Sequence, residues 1–268
     1  MRLPTVLRFA IVLAGCLACT APRAQDRDEN PAWLALKPVL FGDRPVKVNA
    51  ANILQVFAPA NAENAAVVPV TIRARIEQQP ERYIRHIYLI IDENPSPFGV
   101  KFTLTPESGR ADIETRVRLQ SSSPVRAVAE LNDGSLWMNS TMVFGAGGCS
   151  APVSGGIAQN VGRMKLRVED EIAQPGEPLM AQLNVQHPQF SGMASNSSVA
   201  PHFVREVRVY YADRLVMTAE VDFTISENPS FRFYFLPVQD GQLRAEVVDS
   251  SELRFEQTLA VQAPRASN

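Results

Sequence analysis

ERYIRHIYLIID (residues 81–92) and PHFVREVRVYYAD (residues 201–213) are two versions of one pattern, half a chain apart. Each opens on a polar or proline-containing stretch. Each then runs through a β-branched residue (isoleucine in the first, valine in the second) and tyrosine for the length of one strand and closes on an acidic residue. β-Branched and aromatic residues interleaved with polar ones describe a strand with a buried face. The recurrence describes two units built on the same plan.

Working outward, the same texture fills both halves. VVPVTIRARI (67–76), GVKFTLTP (99–106), ADIETRVRLQ (111–120), VRAVAELN (125–132) and LWMNSTMVF (136–144) surround the first copy. MKLRVED (164–170), LMAQLNVQH (179–187), RLVMTAEVDFTI (214–225), SFRFYFLP (230–237), QLRAEVVDS (242–250) and LRFEQTLAV (253–261) surround the second. Turn formers such as Asp92-Glu93-Asn94-Pro95, Ser108-Gly109 and Asp133-Gly134 separate them. Many short strands with regular turns predict an all-β fold of two immunoglobulin-like antiparallel β-sandwiches. Each would be an ordinary domain of about 100 residues. The boundaries fall at 46–144 for the first sandwich, 145–160 for the joining segment and 161–264 for the second.

The chain begins MRLPTVLRFAIVLAGCLACTAPRAQ, with arginines at 2 and 8, an apolar run and then small residues. This is the layout of a secretory leader over 1–24, too short to be a transmembrane helix. An exported, periplasmic protein without a membrane span is expected. Leu13-Ala14-Gly15-Cys16 also fits a lipoprotein box, which would anchor the chain through an acylated Cys16; ordinary cleavage near Ala24 is the preferred reading. Within the extension 25–45, Asn30 can cap and Pro31 can open a helix, while Pro38 should end it at Lys37. A short helix over 31–37 is predicted. The formal charge of −2, with 20% charged residues, carries no strong field and excludes nucleic acid as a natural partner.

After cleavage at Ala24, Cys149 is the only cysteine left, and it sits in GAGGCSAPVSGG (145–156). No residue from Gly134 to Gly162 is charged. Glycine-rich segments behave as flexible coils, and an uncharged one can enter a protein cleft without stranding a charge. The glycines beside Cys149 argue against burial, so a mobile, exposed thiol is expected. An unpaired cysteine in an exported protein points to a reactive thiol or an intermolecular bond, here a Cys149-linked dimer.

Residues 57–152 resemble SoxY, the sulfur-carrying subunit of the thiosulfate-oxidising Sox system. The likeness runs through FAPANAENAAVVPVTI, DENPSP, ESGRADIETRVRL, VRAVAELNDGSLW and the final GGC. Residues 161–262 resemble its partner SoxZ through HPQFSGM, APHFVREVRV, ISENPSFRFYF and VVDSSELRFEQ. The chain is similar to fused SoxYZ-type carriers associated with quinoprotein dehydrogenases. The resemblance implies covalent attachment of a sulfur-containing intermediate at Cys149, with Gly145, Gly147 and Gly148 as a swinging arm. It implies partner enzymes of a Sox-like or quinoprotein dehydrogenase pathway. Two departures stand out. The family's GGCGG arm is a free C-terminus, whereas here GGCSAPVSGG is tied at both ends, and the family's HPMETG reads HPQFSG at 187–192.

Two other classes compete with a carrier. A cysteine nucleophile needs a base or cation to lower its pKa from about 8.5. Of the histidines, His86 lies in a predicted strand, and His187 and His202 flank a loop of the second half. None is placed by the sequence beside Cys149. A non-catalytic binding module is the other, since sandwiches often serve as such and fold alone decides nothing. No zinc spacing, phosphate loop or paired-cysteine motif is present, so no catalytic residue, metal or cofactor is expected.

Overall fold

A computed structural model describes residues 30–48, 50–152, 160–169, 175–193 and 200–264. The leader with Cys16 and Cys19, and the linker's Gly155-Gly156, lie outside the described residues. The first half contains helix α1 (Pro31–Phe41) and strands β1 (Val46–Lys47), β2 (Leu54–Phe57), β3 (Val68–Ala74), β4 (Ile84–Ile91), β5 (Phe98–Leu104), β6 (Ile113–Val117), β7 (Ser123–Leu131) and β8 (Leu136–Val143). The second contains β9 (Met164–Val168), β10 (Leu179–Val185), β11 (Val204–Tyr211), β12 (Arg214–Val221), β13 (Ser230–Phe235), β14 (Gly241–Asp249) and β15 (Arg254–Val261).

The fold is all-β, with each half a two-sheet antiparallel sandwich. The halves do not sit apart as beads on a linker. They join edge to edge, so both sheets run through the molecule. One has the order β1-β8-β7-β4-β5-β12-β11-β14-β15 and the other β2-β3-β6-β13-β10-β9. In the larger sheet β5 and β12 pair antiparallel from Leu104↔Met217 to Val100↔Val221. The smaller sheet is crossed more lightly, by the Glu114↔Arg232 pairing and the isolated Val117↔Ile225 bridge. An open strand edge exposes unpaired backbone groups, and here each half covers the other's. The core is accordingly one cluster spanning both halves, with Phe102 and Phe231 meeting edge to face at 6.0 Å across the junction.

Helix α1 is longer than the sequence predicts. Asn30 caps it as expected, its side chain accepting from the Ala32 and Trp33 backbone, but the helix passes through Pro38 and ends at Phe41. A helix-interior proline costs about 3 kcal/mol. What offsets it is an anchor at each end. Trp33 and Phe41 are both buried in a second cluster with Tyr88, Ile90, Val128, Leu136 and Met138, on the outer face of the larger sheet. Stopping at Lys37 would leave Phe41 unplaced.

Candidate functional site

The chain leaves β8 at Val143 and turns back along the segment that follows β6. Gly145 N–H donates to Ser122 Oγ at 3.3 Å, Gly147 N–H to the Gln120 carbonyl at 2.9 Å and Gly148 N–H to the Leu119 carbonyl at 2.7 Å. Residues Gly148–Ser150 form one short 3-10 turn. Gly147 has φ 81°, a left-handed conformation that side chains disfavour. Gly148 is required for a different reason. A Cβ there would lie 2.0 Å from the Ala65 carbonyl oxygen and 2.8 Å from that of Leu119. These glycines let the backbone lie directly on its neighbours.

The outcome corrects the expected exposure of the arm. Cys149 is 1% exposed, and its carbonyl accepts from Ser191 Oγ of the second half at 2.9 Å. Glycine-rich composition reads as freedom when no partner is visible in the sequence. Here the same lack of side chains permits close backbone contact, and the segment is docked between the halves. Gly145, Gly147, Gly148 and Cys149 do come together, as a seated turn. Cys149 is a free thiol in this state.

Two asparagines from the two Asn-Pro turns hold the seat. Asn94 accepts from the Gln120 backbone at 2.8 Å through Oδ1 and donates to the Arg118 carbonyl at 2.8 Å through Nδ2. This fixes the 118–120 segment on which the arm lies. Asn228 plays the matching part on the other wall: its Oδ1 accepts from His187 N–H at 3.1 Å, and its own N–H donates to the His187 carbonyl at 2.9 Å.

Burial pushes the Cys149 thiol up to about 11; the positive charge of Arg118 draws it down and Asp222 adds to the rise. Arg118 is itself 3% exposed, and burial lowers its affinity for its proton. Its Nη1 donates to the Gln189 carbonyl at 2.5 Å and its Nη2 reaches the Pro188 carbonyl at 3.4 Å. The motif 187–192, which the sequence marks only as a departure from the family's HPMETG, is thus the second wall of the thiol's seat. His187 begins it and joins a cluster the sequence does not announce. His187 Nε2 lies 3.5 Å, and His202 Nε2 2.9 Å, from Asp249 Oδ2. Asp249 Oδ1 accepts from the backbone of Ser251 and Leu253. The three donor atoms fall within 4.8 Å of one another, a spacing that could hold a metal ion. The Gln189 N–H, however, points at His187 Nδ1 at 3.3 Å, which favours a proton on Nε2 directed at Asp249. The trio is two imidazoles around one carboxylate, with His202 Nε2 hydrogen-bonded to it and His187 Nε2, at 3.5 Å, left without a hydrogen-bond partner. Burial, with His202 beside it, lowers the His187 pKa to about 4. His86 stands elsewhere, on β4, with Nδ1 3.0 Å from Thr103 Oγ1.

Sequence reasoning missed Arg118, Gln189 and Ser191 as groups of this site. Arg118 lies within a quoted run, ADIETRVRLQ, where it alternates like any surface residue of a strand. Nothing local marks it as buried.

Residues 38–149 match the family model of sulfur oxidation protein SoxY, and residues 166–260 match that of sulphur oxidation protein SoxZ. Among solved structures, the sulfur carrier protein SoxY from Chlorobium limicola f thiosulfatophilum is 25% identical, covering 41% of this chain and 89% of that one, with a TM-score of 0.35. A superoxide reductase (neelaredoxin) from Ignicoccus hospitalis is 13% identical over 37% of this chain and 94% of its own, at a TM-score of 0.32. A putative superoxide reductase from Thermotoga maritima is 17% identical, covering 37% and 92%, also at 0.32. No curated protein matches the chain significantly.

Proposed function

The chain belongs to the SoxYZ-type sulfur carriers of sulfur oxidation, with both parts in one polypeptide, and we propose that Cys149 is the atom on which its load travels. The observation that carries this reading is the seating of Cys149. A thiol in a core is held by its side-chain packing. This one is held mainly through backbone contacts of a glycine turn, which can release and re-form as a unit. Three short hydrogen bonds, from Gly147, Gly148 and Ser191, tie it down, with longer ones from Gly145 and Ser150 at 3.3 Å. At about 1 kcal/mol net each they permit a small released population without partner help.

The docked thiol, pushed up to about 11, is the opposite of an activated nucleophile, which argues for a carrier and against a self-sufficient cysteine enzyme. Loading and unloading then belong to partner enzymes that bind the released arm, in a Sox-like or quinoprotein dehydrogenase-linked pathway. The leader-like N-terminus supports a periplasmic setting for this exchange. A Cys149-linked dimer forms only between released arms.

The test is mass spectrometry of the protein isolated from a native periplasmic extract. Reductant-labile added mass at Cys149 is expected. Cys149→Ser should retain the fold and lose all carriage, since serine cannot form persulfide or thiosulfonate adducts. Full pathway activity from the serine variant would overturn the reading.

A further inference from the structure

Among the described residues, a few buried side-chain polar atoms lack a hydrogen-bond partner, and three of them are nitrogens of the thiol's seat: Arg118 Nε, Gln189 Nε2 and His187 Nε2, of which the last faces Asp249 and the first two have no carboxylate before them. Arg118 is 3% exposed and Gln189 0%. They are joined to each other, Arg118 Nη1 donating to the Gln189 carbonyl at 2.5 Å. The Gln189 amide cannot simply turn over to hide its donor, because Oε1 accepts from the Val204 backbone at 2.5 Å. The loop also holds Gln189 at φ 45°, a conformation that side chains disfavour. A buried donor without an acceptor is costly, at about 1–3 kcal/mol apiece. An arginine and an amide held this way, with a thiol feeling the arginine's charge, describe a site missing an acceptor.

The geometry points to Arg118 and Gln189 as the seat for the anionic end of whatever Cys149 carries. This inference rests on the reading of Cys149 as the load-bearing atom. A terminal persulfide sulfur or a sulfonate group is negatively charged at neutral pH and rich in lone pairs. A guanidinium with an unpaired N–H, bonded to the backbone of a residue whose amide N–H is also unpaired, supplies charge and donors together. The empty thiol, neutral in its seat, satisfies neither group. The seat therefore distinguishes a loaded arm from an empty one. The loaded arm redocks with its charge paired, and the empty arm is held by the hydrogen bonds of its turn alone. Asp222 and Glu227 are the carboxylates whose field reaches the pair, Asp222 at the thiol and Glu227 at the guanidinium; both oppose an anionic load, so its selective retention has to come from the guanidinium and the amide donor.

The experiment uses two methanethiosulfonate reagents that leave the same ethyl disulfide on Cys149, one ending in sulfonate and the other in trimethylammonium. In each, the thiolate attacks the sulfenyl sulfur, methanesulfinate leaves with the electron pair of the broken S–S bond, and the thiol proton goes to water. The rate at which neutral 2-mercaptoethanol removes each adduct is measured on the folded full chain and normalised to the same adduct in urea. The sulfonate adduct should be removed at least about tenfold more slowly than the ammonium adduct. Arg118→Met should bring that ratio close to one, while Arg118→Lys should keep part of it. The wild-type comparison needs no variant, so a misfolded Arg118→Met leaves the test intact. Equal protection of both adducts on wild-type protein overturns the seat and leaves the carrier reading standing. If neither reagent modifies Cys149, the carrier reading falls and the seat with it.

Discussion

Gly148→Ala is the sharpest perturbation of the docked arm. The new methyl carbon would lie 2.0 Å from the Ala65 carbonyl oxygen and 2.4 Å from its carbonyl carbon, both backbone atoms that cannot swing away. Ala65 O also accepts from Leu119 N–H at 2.7 Å, so moving it would disrupt the segment after β6 on which the arm lies. The arm is the part that yields. Undocking forfeits the short hydrogen bonds of Gly147, Gly148 and Ser191, worth about 3 kcal/mol together at about 1 kcal/mol net each, besides the longer ones of Gly145 and Ser150. At 1.36 kcal/mol per factor of ten, the three short bonds alone correspond to a released fraction of at most roughly one in a hundred in the wild type. The thiol's electrostatics give a similar figure. With the docked thiol at about 11, the thiolate fraction at pH 8 is about a hundredth of that of an ordinary cysteine near 8.5–9. Gly148→Ala should therefore react with a disulfide reagent about 100-fold faster than wild type at pH 8, followed by stopped-flow absorbance, with circular dichroism confirming the sheets. Its rate–pH curve should bend near an ordinary thiol value. Gly147→Ala is the graded control: no atom lies within 4 Å of its Cβ, but φ 81° charges the backbone about 1–2 kcal/mol, so an intermediate rate is expected. If wild type already reacts like a free cysteine peptide, or Gly148→Ala reacts no faster, the docking argument is wrong.

Proteolytic cutting between Gly155 and Gly162 should leave the halves together on native gel filtration, because β5 pairs with β12 and the core is shared across the junction; separation of the fragments would contradict the shared sheets. Acid should weaken the fold through His187. Its pKa falls from about 6.5 unfolded to about 4 folded, so the folded state binds fewer protons, and the stability present above pH 6.5 is lost as pH falls toward 4, by about 2–3 kcal/mol. Asp249 is held below its ordinary value, so its own contribution is lost only at lower pH. Urea unfolding at pH 7, 5.5 and 4.5 should show a steeper decline for wild type than for His187→Asn, and parallel curves would refute the assignment.

How much of this was legible in the sequence depends on whether the information was local. Every run read as a strand from its alternation is a strand, because side-chain period and burial face are written residue by residue. β1 and β2, of two and four residues, are too short to carry a period. The edge-to-edge joining was invisible, since β5 and β12 alternate in the same way whether their outer edge faces water or another strand. The same blindness governs the site. GAGGC and HPQFSG were both singled out, yet nothing in either says that Ser191 would meet the Cys149 carbonyl or that Arg118 would turn inward to the 188–189 carbonyls. The Asn-Pro turns show the converse. Asp92–Pro95 of DENPSP reads as punctuation between strands and ISENPSF as part of a family likeness; the first does turn β4 back into β5, and the second carries the chain from β12 to β13 in the other sheet. Their asparagines do a second job that only the fold assigns, Asn94 fixing the segment under the arm and Asn228 fixing His187 opposite. One wall of the seat comes from each half, so the seat exists only while the halves are joined. A carrier built this way couples its resting state to the junction. Loosening β5 from β12 would free the thiol as surely as removing Ser191, and a partner enzyme that binds across the junction has a direct route to releasing the arm.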